Sequence, residues 1–261
     1  HEAEFCFLGG DLMQAQGGQL IKHYRDMAFM GFINVLLNLR KVLANLEDCK
    51  RAIAHFKPDV VILIDYPSFN LRIAKYVKKQ FQTPVYYYIS PKLWAWKSYR
   101  IKSIKRYIDK MYTIFPLETE FYAQYNYPVT YVGNPTVDSI THFHASKNNR
   151  NFREENKLDS RPIVALLAGS RRQEISKCLP TMVEMADKFP AFQFLVAAAP
   201  GIERGYYNHF LTSSVKIVSD STYALLDESY AAIVNSGTAT LETGLLKVPQ
   251  VVVYHVIGGR I

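Results

Sequence analysis

Two runs in this chain, Val60-Val61-Ile62-Leu63-Ile64-Asp65 and Pro162-Ile163-Val164-Ala165-Leu166-Leu167-Ala168-Gly169, are apolar at consecutive rather than alternate positions. A strand with one wet face alternates apolar and polar residues. A continuous run of this length points to a strand covered on both faces, as in a parallel sheet between helices. Parallel neighbours cannot be joined by a hairpin and need a helical crossover. The sequence supplies the alternation. Strand-like segments fall at 5–8, 60–65, 85–90, 111–115, 129–132, 163–167, 192–197, 215–218, 231–235 and 251–254. Segments of helical length and period lie at 33–56, 70–81, 119–125, 174–189 and 239–246. This order predicts an α/β fold of doubly wound, mostly parallel sheets.

The polar stretch 139–161, SITHFHASKNNRNFREENKLDSR, interrupts the pattern and reads as a linker. It divides the 261 residues near position 150, into domains 1–150 and 151–261 of about five strands each. That arrangement implies two Rossmann-like domains facing one another across a cleft. With 49% apolar and 21% charged residues, disorder is excluded. The 31 Lys and Arg against 23 Asp and Glu leave a net charge of +8, which favours an anionic partner such as a phosphate, a nucleotide or an acidic membrane face. No RRM or KH signature is present, which argues against nucleic acid. Cys6, Cys49 and Cys178 form no CxxC pair, so neither a disulfide framework nor a zinc site is expected and a reducing, cytoplasmic setting fits. The apolar stretch 27–39 falls short of the roughly 20 residues that cross a bilayer.

Three strand ends carry candidate chemistry. In Asn235-Ser236-Gly237-Thr238-Ala239-Thr240-Leu241-Glu242 an apolar strand passes through small residues into a helix. Ser236 or Thr238 can cap that helix, Gly237 lets a ligand approach the backbone, and the helix start offers free N–H groups to a phosphate. Glu242 lies one turn deeper, where a carboxylate can accept bonds from ribose hydroxyls. An ordinary capped helix with an acidic first turn accounts for the same residues. Leu167-Ala168-Gly169-Ser170-Arg171-Arg172 ends a buried strand at a basic turn, and Arg171 can fork onto a diphosphate or sit solvated. In the first half, Asp65 ends the most apolar strand just before Pro67, placed to act as a general base or to bond loop amides.

Two surface features bear on partners. Residues 92–110 interleave seven Lys and Arg with Trp94, Trp96, Tyr99 and Tyr107, which suits an anionic surface or simply a solvated helix face. Within 27–43, Phe29, Met30, Phe32, Ile33, Leu36 and Leu37 cover more than one helical stripe, flanked by Arg25, Arg40 and Lys41. Such a segment faces lipid or packs into a core.

Ser90-Pro91-Lys92-Leu93-Trp94-Ala95-Trp96, together with 61–70, Tyr131-Val132-Gly133-Asn134-Pro135, 166–171 and 236–242, resembles the lipid A disaccharide synthase family in order and spacing over nearly the whole chain. The resemblance implies a GT-B fold. It also implies an inverting hexosyltransferase of Gram-negative lipopolysaccharide biosynthesis that joins UDP-2,3-diacylglucosamine to 2,3-diacylglucosamine 1-phosphate, releasing UDP. The UDP-sugar is then a substrate, and neither a cofactor nor a metal is required. Asp65 matches the family's proposed base, whereas Gly169, Ser170, Arg171, Ser236, Gly237, Thr238 and Glu242 match its nucleotide side. Ser68 and Asn134 depart from residues that some members carry, an Asp and a His. The family's Ser-Gly-Asp opening loop and its Pro-Asn segment near the C-terminus have no counterpart, so the chain is expected to lack both ends. The implied setting is peripheral, on the anionic inner face of the cytoplasmic membrane, with room for a homodimer. Other GT-B enzymes of UDP-N-acetylglucosamine, transferase or epimerase, and a non-catalytic basic membrane-peripheral protein remain alternatives.

Overall fold

In the computed structural model, residues 3–27, 39–93, 98–146 and 151–255 are described. The chain separates into two compact units, His1–Asn134 and Pro135–Ile261. This division precedes the position near 150 that the polar segment indicates. The reason is local: much of that segment is helical, and its first helix packs within the second unit.

The first unit begins with β1 (Cys6–Gly9), α1 (Asp11–Gln14) and β2 (Gln19–His23), the two strands pairing in parallel as a ladder of their own. After α2 (Leu39–Phe56) come β3 (Val61–Ile64), α3 (Pro67–Gln80), β4 (Val85–Tyr88), α4 (Ile101–Tyr107), β5 (Lys110–Thr113), α5 (Leu117–Ala123) and β6 (Thr130–Tyr131). These last four strands form one parallel sheet in sequential order. Pro67 occupies the first turn of α3, where its missing N–H has no partner to lose, so the helix starts before residue 70. Its buried stripe Phe69, Ile73, Ala74 and Val77 repeats at helical spacing and packs with Val61, Leu63, Val85 and Tyr87. Each large apolar side chain so buried contributes about 1.5–3 kcal/mol.

β3 departs from expectation. Val61 and Leu63 are buried, but Ile62 and Ile64 are 56% and 46% exposed. Among the described residues the apolar run therefore marks a strand with one covered face, because the described helices that bury it pack on the Val61 and Leu63 side.

The second unit opens with α6 (Pro135–Ala145) and α7 (Phe152–Glu155), followed by β7 (Ile163–Leu167), α8 (Arg172–Lys188), β8 (Gln193–Ala197), α9 (Arg204–Tyr207), β9 (Val215–Val218), α10 (Thr222–Asp227), β10 (Ser229–Asn235), α11 (Thr238–Leu245) and β11 (Gln250–Val253). All five strands are parallel, in the order β11-β10-β7-β8-β9. Here the continuous runs do mean burial on both faces. Val164, Leu166, Phe194 and Val196 pack with Ile175, Leu179 and Met182 of α8. Their neighbours Ile163, Ala165, Leu167 and Leu195 pack on the other side with Phe152, Leu225 and Leu226. Alternation along a strand thus serves two cores. No helix among the described residues is long and apolar enough to cross a membrane.

The sheet of the first unit is pinned at its start by a side chain. Asp109 accepts the N–H of the fully buried Val85 at 2.7 Å and meets Lys78 Nζ at 2.8 Å. Asp109→Ala leaves that amide without an acceptor and should cost about 1–3 kcal/mol, read as a lower urea midpoint, with Asp109→Asn losing less.

Candidate functional site

Strand order decides where a ligand can enter the second unit. The chain builds outward from β7 through β8 to β9, then returns to the other side of β7 for β10 and β11. Loops leaving β7 and β10 therefore part in opposite directions, which opens a crevice at the carboxyl ends of those strands. A cavity of about 330 Å³ lies there, within the usual range for small-molecule sites. Gly169, Ser170 and Arg171 after β7 line it, as do Ser236, Gly237, Thr238 and Glu242 after β10. All seven residues singled out in this half of the sequence share one cavity.

The turn after β7 needs its glycine. Gly169 has φ +113, and a Cβ there would stand 2.7 Å from Glu174 and 2.9 Å from Asn235 Nδ2. Glu174, in the first turn of α8, accepts the Ser170 N–H at 3.0 Å and Arg171 Nη1 at 2.5 Å. One carboxylate thus holds both the backbone and the guanidinium of the turn. Asn235, buried at the end of β10, accepts the Cys178 thiol at 3.5 Å. Burial and then the Glu174 charge push that thiol's pKa up, so it stays a neutral donor.

The turn after β10 differs from the capping expected of Ser236 or Thr238. The N-cap of α11 is Gly237, in extended backbone, and no side chain caps the helix. Ser236 and Thr238 are exposed instead. A Cβ on Gly237 would meet nothing closer than 4.0 Å, so the glycine leaves open space beside the helix start. The cap residue of α8, Arg171, also makes no side-chain capping bond. Two helix starts without such caps face one cavity, and their N–H groups carry the positive end of each helix dipole. Glu242 lies a turn along α11, where its Oε1 accepts the Tyr223 phenol at 2.9 Å. This arrangement can hold an anionic group between the helix starts and hydroxyl donors at Glu242. Asn235 opens the motif quoted from the sequence but has no role there, and Glu174 and Tyr223 are not among the candidate site residues. Glu174 was legible as the acidic first-turn residue after Arg171, whereas Tyr223 meets Glu242 only through the tertiary fold.

In the first unit, Asp65 follows β3 with its side chain exposed and, among the described residues, without a hydrogen bond or ion pair of its carboxylate. Its backbone is unusual. Asp65 and Tyr66 both take left-handed conformations, at φ 43 and 44, and Ile89 at the end of the neighbouring β4 has φ 63. Such conformations cost on the order of 1–3 kcal/mol each, most of all for a β-branched residue, and cluster at functional rims. Beyond Ile89, buried Ser90 is tied to the buried Tyr122 hydroxyl at 2.9 Å. Ser68 accepts Arg100 Nη2 at 2.9 Å, and Asn134 donates to the Ile114 carbonyl at 3.4 Å. Trp94 and Trp96, and residues 28–38 of the apolar segment, lie outside the described residues. No group of three or more His, Cys, Asp or Glu among the described residues is placed to hold a metal ion.

Residues 1–257 match the family model described as lipid-A-disaccharide synthetase. The chain belongs to this family. Among its curated relatives, the lipid-A-disaccharide synthase of Myxococcus xanthus is 40% identical over 260 residues, covering 97% of this chain and 67% of that protein. That of Coxiella burnetii is 36% identical over 253 residues, covering 95% of this chain and 66% of the relative. The chain therefore spans about two thirds of the length of these lipid-A-disaccharide synthases. Solved structures share the fold at 12% identity. They include Staphylococcus aureus MnaA in a co-structure with UDP (TM-score 0.64, covering 90% of this chain and 65% of that one). The UDP-N-acetylglucosamine 2-epimerase of Rickettsia bellii aligns with TM-score 0.63 over 96% of this chain and 78% of its own. At that identity they speak for the fold alone, which is GT-B.

The Tyr223 phenol reports on this corner of the cavity. Burial first, then its bond to Glu242 and that carboxylate's charge, raise its pKa to about 12. Because the folded value is raised, the associated stability is complete below the ordinary value of about 10 and is lost as pH climbs through about 12. Replacing Glu242 by Gln keeps an acceptor but removes the charge. NMR of ring-labelled tyrosine should then show Tyr223 titrating earlier, though still above an ordinary tyrosine because burial remains.

Proposed function

We propose that this chain carries the donor and acceptor machinery of an inverting glycosyltransferase that condenses UDP-2,3-diacylglucosamine with 2,3-diacylglucosamine 1-phosphate, giving lipid A disaccharide 1-phosphate and UDP. The match to the lipid-A-disaccharide synthetase family over residues 1–257 carries this reading. The cavity of the second unit adds the chemistry. The starts of α8 and α11 and the Arg171 guanidinium supply positive ends for a diphosphate, and Glu242 supplies acceptors for ribose hydroxyls. One neighbour of the same fold was solved with UDP, which agrees with a uridine diphosphate here.

In this scheme the acceptor's hydroxyl oxygen attacks the anomeric carbon as Asp65 takes its proton. The bond from that carbon to the diphosphate breaks, and UDP leaves with the electron pair. Attack opposite the leaving group inverts the centre. Charge developing on the diphosphate is met by the helix starts and Arg171, a preorganised stabilisation that needs no metal. Both substrates are lipids, so the reading places the enzyme peripherally at the anionic inner face of the cytoplasmic membrane. The basic residues of 92–110 and the apolar segment 27–43 would provide the contact.

Two measurements test the assignment of roles. Glu242→Ala should weaken UDP binding by ~1.5–3 kcal/mol in calorimetry, the range for a bond to a charged group, and unchanged affinity would reject the nucleotide reading. In the full-length enzyme, Asp65→Asn should slow turnover about 100-fold or more while UDP affinity stays put. Turnover within a few-fold of wild type would remove Asp65 as the base, and loss of activity in EDTA with recovery in Mg²⁺ would overturn the metal-free scheme.

A further inference from the structure

The strained turn that presents Asp65 is held from inside the unit by two side chains. Asp65 N–H donates to the Tyr88 carbonyl at 2.9 Å, which continues the β3 to β4 ladder one residue past the strand. Its own carbonyl then turns inward. Tyr87 Oη donates to that carbonyl at 2.5 Å, and Asn70 Nδ2 donates to it at 2.7 Å and to the Ile64 carbonyl at 3.0 Å. Asn70 is placed for this by α3, whose first turn bonds back through the N–H groups of Phe69 and Asn70 to the Tyr66 carbonyl.

We propose that Tyr87 and Asn70 are positioning residues for Asp65, holding its main-chain carbonyl so that the left-handed turn stays closed and the carboxylate stays at the rim. The inference rests on the reading of Asp65 as the base. Tyr87 is fully buried, and a phenylalanine would fill the same apolar space. What the hydroxyl adds is the bond to the Asp65 carbonyl, beside an interaction with the Asn70 side chain. Burial, with the Asp65 charge as the next cause, drives the phenol's pKa far above the ordinary tyrosine value, so it remains a donor at every working pH. With both removed, the Asp65 carbonyl loses both of its side-chain donors, less remains to offset the cost of two adjacent non-glycine residues at positive φ, and the turn would shift toward ordinary extended backbone. The carboxylate would then move off its line of approach, a displacement to which a proton transfer is sensitive.

A double-mutant cycle in the full-length enzyme tests this, with kcat, the KM of the UDP-sugar and UDP affinity as readouts. Tyr87→Phe should lower kcat roughly tenfold and leave donor KM and UDP affinity within about twofold, since it acts on a step and not on donor binding. In the Asp65→Asn background the same change should lower the residual kcat less than about twofold, because two residues acting through one group are not additive. Asn70→Ala, at a half-exposed position, should behave the same way and serves in place of Tyr87→Phe should that variant not fold. Equal losses in both backgrounds, or a loss confined to thermal stability, would overturn the positioning role while leaving Asp65 as the base. If Asp65→Asn alone turns over like wild type, the base assignment falls and this inference falls with it.

Discussion

Parallel pairing is the constraint from which the rest of this structure follows. A chain that adds each strand in the same direction must cross back before the next, so every strand of a sheet ends along one edge. Here that holds for β3 to β6 and for β7 to β11. In the second unit, reversal of strand order between β7 and β10 keeps two adjacent loops from closing over each other, and the cavity occupies the gap. In the first unit the same kind of edge carries three residues at positive φ, at the ends of neighbouring strands.

The two edges are organised by different means. After β7 the chain makes its turn with a glycine and ties it with the Glu174 carboxylate. After β3 it makes a turn without glycine, and buried or half-buried donors hold the resulting conformation. The first device leaves backbone amides and a guanidinium around open space. The second leaves a carboxylate exposed with its backbone anchored. Under the proposed reading the first device suits binding of an anion and the second suits acceptance of a proton, each within its own unit.

Much of this was legible because buried parallel strands write themselves as apolar runs and stop abruptly at small residues. Leu167 to Arg171 and Val234 to Thr238 are such endings, and both open onto the cavity. What stayed hidden depended on contacts between distant positions. Residues 60–64 look as apolar as 163–167, but nothing local says that, among the described residues, helices cover only one face of β3. β2 went unseen because Gln19, Lys22 and His23 lack strand character and are ordered by pairing with β1. Helix α6 hid in a polar stretch because its contribution to the core is small, chiefly Ile140. Ser236 and Thr238 carry the side chains of caps, yet the chain enters α11 through Gly237. Asn70 and Tyr87 stand out only once the backbone of Asp65 is known.

Gly169 carries a consequence for how this sequence can drift. A side chain at that position is opposed twice, by a positive φ and by Glu174 atoms at 2.7 Å, with Asn235 close behind. Shortening residue 174 removes its carboxylate but leaves its Cβ 2.7 Å away, unties Ser170 and Arg171 as well, and the φ penalty persists. Positions 169, 174 and 235 therefore form an epistatic set, in which no single step away from glycine is neutral. A side chain at position 169 is expected to be tolerated only where the path of the loop itself has been rebuilt.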